Sequence, residues 1–508
     1  MFTIRFSLLG ALLLCVGFSF GQEFDGYALF NSTGSNTAYL IDSEGDIAHY
    51  WSCDEEANYA IALTPTGNIV RGAVYQGNQI NGAAVGGMVQ ELDADANVVW
   101  EFVYSSSTVV SHHDLCLMPN GHVLLIAWEY LSNADLAAMG YEGTQAKYGT
   151  HIIEVAQNGT GGEIVWEWHI KDHFVQDVDS NLDNYGVVSE HPELLNINVT
   201  ISGSGGPGGG GGGASDWFHV NGLDYNPTLD QIVFSSRFMS EVFIIDHSTT
   251  TEEAASHTGG NSGKGGDFLY RWGHPDNYDM SGSQIIPAAV HDARWIPEGR
   301  PYAGYVQVFN NEGNNGHSTV DAINPPLNGY NYDWTPGQQY QPASYDLRHE
   351  CLDDANGQSA SDRMSNGNIF VNLAGGMGGG GYMYEVDGDD NVVFQYNANS
   401  AKGFRYECDH PGIQALLDNP CDTPDEVEDL SRLGVNLFPN PSTGVFHLAG
   451  EFPLSGVEVI KVFDATGKLI LDASNTDSID LSGCDDGIYV AYMECAGQAI
   501  TRRISVRK

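Results

Sequence analysis

The segment that decides the fold is AYLIDSEGDIAHYW (38–51), in which a short alternating strand leads through an Asp/Gly turn into a strand that ends in an aromatic residue. Apolar and polar residues that alternate on both sides of such a turn predict a β-hairpin. The same phrase recurs as VQELDADANVVWEF (89–102), IIEVAQNGTGGEIVWEW (152–168) and MYEVDGDDNVVFQY (383–396). A recurring hairpin indicates a fold assembled from repeated β units.

A second phrase precedes the hairpin in three places and reads Pro or Ser, then Asn or Gly, then an apolar strand. It occurs as LTPTGNIVRG (63–72), LMPNGHVLLIAW (117–128) and RMSNGNIFVNL (363–373). The two phrases together supply four short strands, which is the unit of a propeller blade. Long amphipathic helical patterns are nearly absent from residues 25–410.

We therefore predict an all-β chain with low helical content and a β-propeller over residues 25–412. About six blades fit, at roughly 40 to 60 residues for each four-stranded blade. A two-sheet sandwich is the structural alternative, but the repeated hairpin phrase argues against it.

The β pattern restarts near the C-terminus as a separate small module over residues 433–508. Before it, residues 413–432 contain CDTPDEVEDLS and predict an acidic linker. The module carries LFPNPSTGVFHL (437–448), VEVIKVFDATGKLIL (457–471) and IDLSGCDDGIYVAYM (479–493). These phrases resemble the C-terminal sorting domain of the type IX secretion system, and the resemblance implies an immunoglobulin-like β-sandwich that the export machinery recognises. An ordinary terminal adhesion sandwich is the alternative.

The N-terminus predicts a signal peptide over residues 1–21. Arg5 supplies the early positive charge, and an apolar run from Phe6 to Phe20 ends at Gly21, near which we expect cleavage. No later stretch is apolar for long enough to cross a bilayer. Together with the sorting module, this predicts a protein that is secreted or attached to the outer cell surface.

Charge and cysteine content narrow the range of partners and sites. The chain has 66 Asp and Glu against 20 Lys and Arg, and a formal net charge of -46 repels nucleic acid. Seven cysteines remain after cleavage, so at least one thiol stays unpaired, and none has the CxxC spacing of a zinc site. Cys408 with Cys421 and Cys484 with Cys495 are the candidates for local disulfides.

A glycine-rich insertion, SGSGGPGGGGGGAS (202–215), interrupts the β pattern. Its composition predicts a flexible loop without a core of its own. Because it lies directly before Asp216, we expect it to overhang the central funnel and to affect which acceptor enters.

Three histidine-bearing phrases carry the candidate chemistry: SHHDLCLMPNG (111–121), DWFHVNGLDYNPTLDQIVFSSRF (216–238) and VHDARWIPEG (290–299). A histidine at the start of a propeller strand can point into the central funnel. Histidines that converge with Arg237 suit either a metal ion or an oxyanion, but the spacing lacks HxH or HExxH, and a permanent guanidinium repels a metal ion. The alternative for each histidine alone is that it caps a strand.

These phrases, with HTGGNSGKGGDFLYRWG (257–273), resemble the bacterial aryl sulfotransferase family over most of residues 40–415. The resemblance implies a six-bladed propeller that moves a sulfuryl group from a small aryl sulfate donor to a phenolic acceptor. It implies a ping-pong reaction through a transiently sulfurylated histidine, without phosphoadenosine phosphosulfate or another cofactor. Family members can dimerise, so the resemblance is compatible with a homodimer.

The resemblance also assigns residues. His291 matches the nucleophile, His219 and Arg237 match the sulfate-binding pair, and His113 matches a further active-site histidine, with His112 as the alternative. Asp114 and Asp292, which follow His113 and His291, are candidates either for fixing the imidazole tautomers or for capping strands.

Two rival functions come from other classes. One is a noncatalytic surface propeller that binds glycan or protein, and the other is a metal-dependent lyase or hydrolase. Convergence of His113, His219, Arg237 and His291 on one site distinguishes the enzyme from the binding propeller, which has no reason to gather these side chains.

Overall fold

The protein is described from a computed structural model, which covers residues 24–201, 214–282, 284, 288–355, 357–375, 380–418, 420–421, 436–440, 442–449, 457–464, 468–473, 478–495 and 498–508. The chain divides into two compact units, Met1–Pro420 and Cys421–Lys508. The predicted signal peptide (1–21), residues 202–213 of the glycine-rich insertion and residues 422–435 around the predicted linker lie outside the described residues. The predicted domain limits stay predictions.

The described residues of unit 1 form six main sheets, each with four antiparallel strands, and one of them, sheet 3, has a fifth strand that pairs in parallel. Sheet 1 consists of β1 (Tyr27–Asn31), β2 (Thr37–Ile41), β3 (Ile47–Ser52) and β29 (Gly403–Tyr406). Sheet 2 consists of β4 (Ala57–Leu63), β5 (Ile69–Val74), β6 (Gly87–Leu92) and β7 (Val98–Val103). Sheet 3 consists of β8 (Val109–Leu117), β9 (Val123–Leu131), β10 (Ala146–Asn158) and β11 (Gly161–His169), and β14 (Ala214–Asp216) pairs with β10 in parallel.

Sheet 4 consists of β15 (Val220–Asn226), β16 (Gln231–Ser236), β17 (Glu241–Asp246) and β18 (Phe268–Trp272). Sheet 5 consists of β19 (Val290–Trp295), β20 (Val306–Asn314), β21 (His317–Ile323) and β24 (Leu347–Glu350). Sheet 6 consists of β25 (Ala360–Arg363), β26 (Ile369–Leu373), β27 (Gly381–Val386) and β28 (Val392–Ala398). Two small ribbons pair β12 (Phe174–Val175) with β13 (Leu195–Asn196) and β22 (Leu327–Asn328) with β23 (Asn331–Tyr332).

Helices are short and few in the described part of the chain. They are α1 (Asn133–Ala138), α2 (Thr251–Ala254) and α3 (Pro411–Leu416), with 3₁₀ turns at Ile170–His173, Val188–Glu190 and Pro275–Tyr278. Helix accounts for 6% of the chain and strand for 48%, so the prediction of low helical content is confirmed. None of the helices in the described ranges has the length and apolar character that a membrane crossing requires.

The six sheets of unit 1 close into a ring. Each sheet has one edge strand, here called its inner strand, that contacts the neighbouring sheets; the inner strands are β29, β4, β8, β15, β19 and β25. The ring closes because β29, from the end of the unit, pairs with β1 at its start, with Tyr27 opposite Tyr406. This pairing joins the end of the unit to its first sheet and so holds the ring closed. The prediction of an all-β chain with a β-propeller is confirmed.

The recurring phrases occupy equivalent places in the sheets. All four quoted hairpins form the two outermost strands of their sheets, and the second phrase turns between the first two strands of sheets 2, 3 and 6. In the turn of β6 and β7, the Asp93 carboxylate accepts hydrogen bonds from the backbone N–H of Asn97 at 2.8 Å and of Asp95 at 3.0 Å. The turn chemistry read from the sequence therefore sets these hairpins.

The aromatic residues that end the hairpins seal the layers between sheets. Trp51, Trp100 and Trp168 are fully buried. The indole N–H of Trp51 donates to the carbonyl of Asp93 in sheet 2 at 3.0 Å, and that of Trp168 donates to the carbonyl of Gly266, before sheet 4, at 2.7 Å. The rings of Trp51 and Trp168 thus fill the apolar layer while their polar atoms bond towards the next sheet, whereas the indole N–H of Trp100 donates to Glu91 of its own sheet at 2.6 Å.

Unit 2 contains two sheets around one core. The first consists of β30 (Asn436–Phe438), β31 (Val445–Ala449) and β34 (Ser478–Asp480). The second consists of β32 (Val457–Asp464), β33 (Leu469–Ala473), β35 (Gly487–Cys495) and β36 (Gln498–Val506). Phe446 and Ile479 from the first sheet share one buried cluster with Val462 and Ile504 from the second, as in a β-sandwich. The immunoglobulin-like topology stays a prediction.

The disulfide predictions have two outcomes. Cys408 and Cys421 are both disulfide-bonded, as predicted. Cys484 carries a free thiol, so its predicted bridge with Cys495 is wrong. Cys484 lies in the turn before β35 and Cys495 is the last residue of that strand. At about 3.3 Å per residue, an extended strand of this length holds its ends roughly 25 Å apart, far beyond disulfide reach.

Candidate active site

The candidate histidines lie where the inner strands break their regular pairing. The register shifts between Ser111 and Leu115 in β8, between Val220 and Gly222 in β15, and between His291 and Arg294 in β19. Such bulges redirect side chains and are common beside functional sites.

The backbone is strained at the same three places. His113 has φ 56°, His219 has φ 50° and Asp292 has φ 55°, all in the left-handed region. This conformation costs a non-glycine residue about 1–3 kcal/mol, so the surrounding packing holds these residues in place.

Close packing between β15 and β19 brings His219 and His291 to one site. A Cβ atom on Gly222 would lie 2.6 Å from the Cα of Asp292, so only glycine permits this approach. The Asn221 side-chain amide, which is fully buried, donates to the carbonyl of Val290 at 2.9 Å and ties the two strands together.

His219 is held by Asp216, the last residue of β14. Its Nδ1 atom lies 2.5 Å from Oδ2 of Asp216, and its backbone N–H donates to Oδ1 of the same carboxylate at 3.1 Å. Because a carboxylate only accepts, Nδ1 carries the proton and the Nε2 lone pair is left for chemistry when the ring is neutral.

His113 packs directly on His219, whereas His112 lies behind it. The rings of His113 and His219 meet edge to face with centroids 4.5 Å apart. The Nδ1 atoms of His112 and His113 lie 2.7 Å apart, and the His112 ring packs on Trp128 with centroids 4.3 Å apart. Of the two alternatives, His113 is the one that contacts the other candidate residues.

His291 is oriented by an amide. Its Nδ1 atom lies 2.6 Å from Oδ1 of Asn311 and 2.8 Å from the carbonyl oxygen of Ala289, so Nδ1 carries the proton. Its Nε2 atom accepts a hydrogen bond of 3.1 Å from the backbone N–H of Gln358. The Asn311 amide orientation is fixed by its nitrogen, which donates to the carbonyl of Ala355 at 2.9 Å. This is the neutral tautomer, with its lone pair on Nε2.

Electrostatics keep His113 and His291 uncharged. Burial lowers the pKa of the His291 ring to about 3, and the nearby His219 and Arg237 act in the same direction. Burial and the neighbouring His219 hold the pKa of His113 well below its usual value. Desolvation disfavours the charged form of an imidazole, so both rings are neutral near pH 7.

Arg237 follows β16 and joins the site through the backbone. Its N–H donates to the carbonyl of His219 at 3.1 Å, which places it beside that residue. Its side chain is half-buried, and within the described ranges its guanidinium forms no ion pair. A guanidinium without a carboxylate partner is suited to bind an oxyanion through its two parallel donors.

The two aspartates next to the histidines bind a lysine instead of fixing imidazole tautomers. Nζ of Lys402 lies 2.7 Å from Oδ2 of Asp114 and 3.0 Å from Oδ1 of Asp292, and its side chain is 0% exposed. Burial alone would raise the pKa of Asp292, but Arg294 and Lys402 lower it. The suggested role of these aspartates in orienting His113 and His291 is therefore replaced by an ion-pair link between β8 and β19.

The four predicted site residues thus lie near one another: His113 contacts His219, Arg237 bonds to His219 through the backbone, and His219 and Arg237 both act on the pKa of His291. Lys402, Asn311 and Gln358 were not predicted from the sequence. Lys402 lies just before β29, between Ala401 and Gly403. The one sequence signal for a special role is that the chain has few lysines and this one stands between two small residues.

Comparison with known structures finds weak overall likeness. A protein of unknown function from Bacteroides caccae is 12% identical, with a TM-score of 0.40, over 75% of this chain and 98% of that chain. The periplasmic gluconolactonase of Pseudomonas aeruginosa is 10% identical, with a TM-score of 0.35, over 95% and 99% of the two chains. The Cps50 (Swd1) β-propeller domain of Myceliophteria thermophila is 9% identical, with a TM-score of 0.34, over 74% and 86%. No curated protein matches the chain at a significant level.

Family models match both units. Residues 436–507 match the secretion system C-terminal sorting domain, which implies interaction with the type IX secretion machinery and either secretion or attachment to the outer surface. Residues 20–341, more than half of the chain, match the arylsulfotransferase (ASST) model and include His113, His219, Arg237 and His291. The chain therefore belongs to the arylsulfotransferase family.

Proposed function

We propose that the protein is an exported aryl sulfotransferase that transfers a sulfuryl group from an aryl sulfate to a phenol through a sulfurylated His291. The observation that carries the proposal is the state of His291: a neutral ring, with its proton on Nδ1 held by Asn311, beside a guanidinium that has no ion-pair partner in the described residues. A neutral imidazole with its lone pair on Nε2 is a competent nucleophile near pH 7.

In the first half-reaction, the Nε2 lone pair of His291 forms a bond to sulfur while the bond from sulfur to the aryl oxygen breaks. The electron pair of that bond leaves on the phenolate. The ring gains positive charge, and Nδ1–H remains bound to Asn311 and to the carbonyl of Ala289, which stabilises the charged ring. The backbone N–H of Gln358 must give up its bond to Nε2 before attack.

In the second half-reaction, the acceptor phenol attacks sulfur and the bond from sulfur to Nε2 breaks, which restores neutral His291. The acceptor proton must leave as this happens. The Nε2 atom of His219 is suited to take it, because Asp216 binds the opposite nitrogen and stabilises the imidazolium that forms. His219 then releases this proton to solvent, and the first phenolate, which left before the acceptor bound, takes up one proton from solvent, so the overall reaction balances.

Arg237 and His113 are assigned to the sulfuryl oxygens. Sulfuryl transfer resembles phosphoryl transfer in that charge on the equatorial oxygens must be compensated in the transition state. Arg237 supplies a permanent charge with paired donors. The Nε2 atom of His113 is buried and has no hydrogen-bond partner within the described ranges, so it is available to an oxygen of the substrate.

Mass spectrometry after a rapid quench tests this mechanism. We expect wild-type protein mixed with 4-nitrophenyl sulfate, without acceptor, to release one equivalent of nitrophenolate in a burst and to carry one SO₃ group on the peptide that contains His291. His317→Ala removes an exposed histidine and should behave as wild type. An SO₃ group on another residue, or turnover without any burst or adduct, would contradict transfer through His291.

A further inference from the structure

A cluster of two histidines and a glutamate lies on the outer half of sheet 3, on β10 and β11, and the proposed mechanism makes no use of it. His151 of β10 is paired in register with His169 of β11, and Glu167 precedes His169 by two residues on the same face. The two imidazole rings stack with centroids 3.8 Å apart and an interplanar angle of 21°. One ring nitrogen of each histidine and one carboxylate oxygen of the glutamate lie within 4.8 Å of one another, and the stacked rings must turn apart for both in-plane lone pairs to face one ion.

The distances within the cluster are longer than those of typical hydrogen bonds. Nε2 of His151 lies 3.4 Å from Oε2 of Glu167, and Nε2 of His169 lies 3.6 Å from the same oxygen. Hydrogen bonds between nitrogen and oxygen are shorter, at about 2.7–3.2 Å. Two ligands about 2.0–2.1 Å from one tetrahedral ion lie roughly 3.3 Å apart, close to the separations found here.

The other nitrogen of each ring is held from behind. Nδ1 of His169 lies 2.9 Å from Oε2 of Glu129, and Nδ1 of His151 lies 3.1 Å from the hydroxyl of Tyr104. Because the Glu129 carboxylate only accepts, Nδ1 of His169 carries a proton and the neutral ring presents its Nε2 lone pair to Glu167. A carboxylate behind a histidine is the usual support of a metal-binding imidazole.

Burial and charge both favour a cation at this point. His151 is 2% exposed, and its Nε2 atom has no hydrogen-bond partner in the part of the chain that the structure describes. A buried nitrogen without a partner costs free energy that a bound ion would remove. Glu129 and Glu167 carry two negative charges, and the one ammonium group beside them, that of Lys171, lies 2.5 Å from Glu129. The cluster therefore has an excess of negative charge.

A second group of similar composition does not have this geometry. His173 and His257 each place Nδ1 2.8 Å from Oδ1 of Asp267, which is a hydrogen-bond distance, and Nε2 of His173 lies 2.9 Å from the carbonyl of Ala254. Ordinary hydrogen bonds account for these contacts, and no metal ion is needed to explain them. His257 is therefore a suitable control residue.

We propose that His151 Nε2, His169 Nε2 and Glu167 Oε2 bind one divalent transition-metal ion, zinc in the first instance, outside the proposed catalytic site. Two imidazoles and a carboxylate suit zinc, and three protein ligands leave a fourth position for water. The ion joins β10 to β11 at the outer edge of sheet 3, and the partial exposure of Glu167 and His169 gives it access from solvent.

Zinc titration of the full mature chain tests the site. After removal of metal by a chelator, wild type and His257→Ala should each retain one equivalent of zinc on dialysis. His169→Ala and Glu167→Gln should bind it about 100-fold more weakly or not at all, and Glu129→Gln about 10–100-fold more weakly. Zinc should also raise the Tm of wild type but not of His169→Ala.

Equal zinc retention by wild type and the ligand variants, or no retention by wild type, would overturn the proposal. Cobalt(II) added to wild type alone keeps the test decisive if a variant fails to fold. Intense visible absorption from a low-coordinate site with nitrogen ligands supports the proposal. The weak spectrum of hydrated cobalt contradicts it.

Discussion

Oδ1 of Asn311 lies 2.6 Å from Nδ1 of His291, so an amide from β20, and not the adjacent Asp292, sets the tautomer of the proposed nucleophile. A neutral acceptor at this position holds the Nδ1 proton without attracting a second proton to Nε2. A carboxylate would favour the imidazolium, which has no lone pair for attack.

Replacement of Asn311 should therefore change the pH profile as well as the rate. Asn311→Asp should raise the pKa of His291 and move the acidic limb of kcat/KM to higher pH. Asn311→Ala should lower kcat about 10- to 100-fold, since the loss of one buried hydrogen bond corresponds to about 1–3 kcal/mol. Steady-state rates with 4-nitrophenyl sulfate over a pH series measure both. An unchanged acidic limb in Asn311→Asp would mean that this contact does not set the protonation of His291.

Arg237 should act through its paired donors and not through charge alone. Arg237→Lys keeps the charge but loses the planar fork, and we expect kcat/KM to fall by about 10²–10³. Arg300→Lys, at a partly exposed arginine whose guanidinium donates to a backbone carbonyl, is the control and should lose little. Full activity in Arg237→Lys would remove the guanidinium from the proposed oxyanion site.

Lys402 should be essential to stability because it neutralises two buried carboxylates. Lys402→Met leaves Asp114 without its ion-pair partner and Asp292 with Arg294 alone, and loss of one partner from a buried ion pair typically costs about 3–5 kcal/mol. Urea unfolding measures the free-energy change. Lys468→Met, at an exposed lysine of unit 2, should change stability by less than about 1 kcal/mol. A Lys402 variant as stable as this control would show that the ion pairs do not hold β8 and β19 together.

Gly222 should not tolerate a side chain. Gly222→Ala would place a methyl group 2.6 Å from the Cα of Asp292, and overpacking of this kind costs about 1–3 kcal/mol. Because the shift separates His219 from His291, kcat should fall together with stability. Gly388→Ala introduces the same methyl group where no atom lies within 4 Å and should leave both unchanged. Equal behaviour of the two variants would contradict the close approach of β15 and β19.

The buried histidines should make the protein sensitive to acid. His112 and His291 have a pKa of about 3 in the folded chain, lowered by burial, whereas an unfolded histidine has a pKa near 6.5. Between these values the unfolded chain binds protons that the folded chain does not. The free energy of unfolding should therefore fall as pH falls from about 6.5 towards 3, by about 1.4 kcal/mol per pH unit for each such histidine.

Urea unfolding at a series of pH values checks this dependence. His291→Asn should give a shallower slope than wild type, by the amount expected for one proton. His317→Asn, which removes an exposed histidine, should keep the wild-type slope. The same slope in all three proteins would mean that His291 is not held neutral by the fold.

Local features of this chain could be predicted from sequence because they depend on neighbouring residues. Asp93 and Asn97 form a hairpin turn within five residues. The aromatic residue at the end of the hairpin predicts a strand with one face buried against the next sheet. The pairing of Tyr27 with Tyr406 that closes the ring depends on chain ends far apart in sequence. No local pattern encodes it.

The site was predictable to the extent that its residues carry unusual chemistry. His113, His219, Arg237 and His291 stand out in sharply patterned phrases. Asn311 and Gln358 are ordinary polar residues that gain a role only because β20 and the segment before β25 approach β19. Asp114 and Asp292 suggested a role in orienting the histidines. Their actual partner, Lys402, is 288 and 110 residues away from them in the sequence, so no local pattern links the three residues.

The most direct test of the central claim is the release of nitrophenol from 4-nitrophenyl sulfate by the purified mature protein, with and without phenol, in wild type, His291→Ala and the control His317→Ala. The account predicts release that phenol stimulates in wild type and in His317→Ala and that is lost in His291→Ala. Undiminished, phenol-stimulated release by His291→Ala would contradict transfer through this histidine, and no release by folded wild type across a panel of aryl sulfates and acceptors would favour a binding propeller.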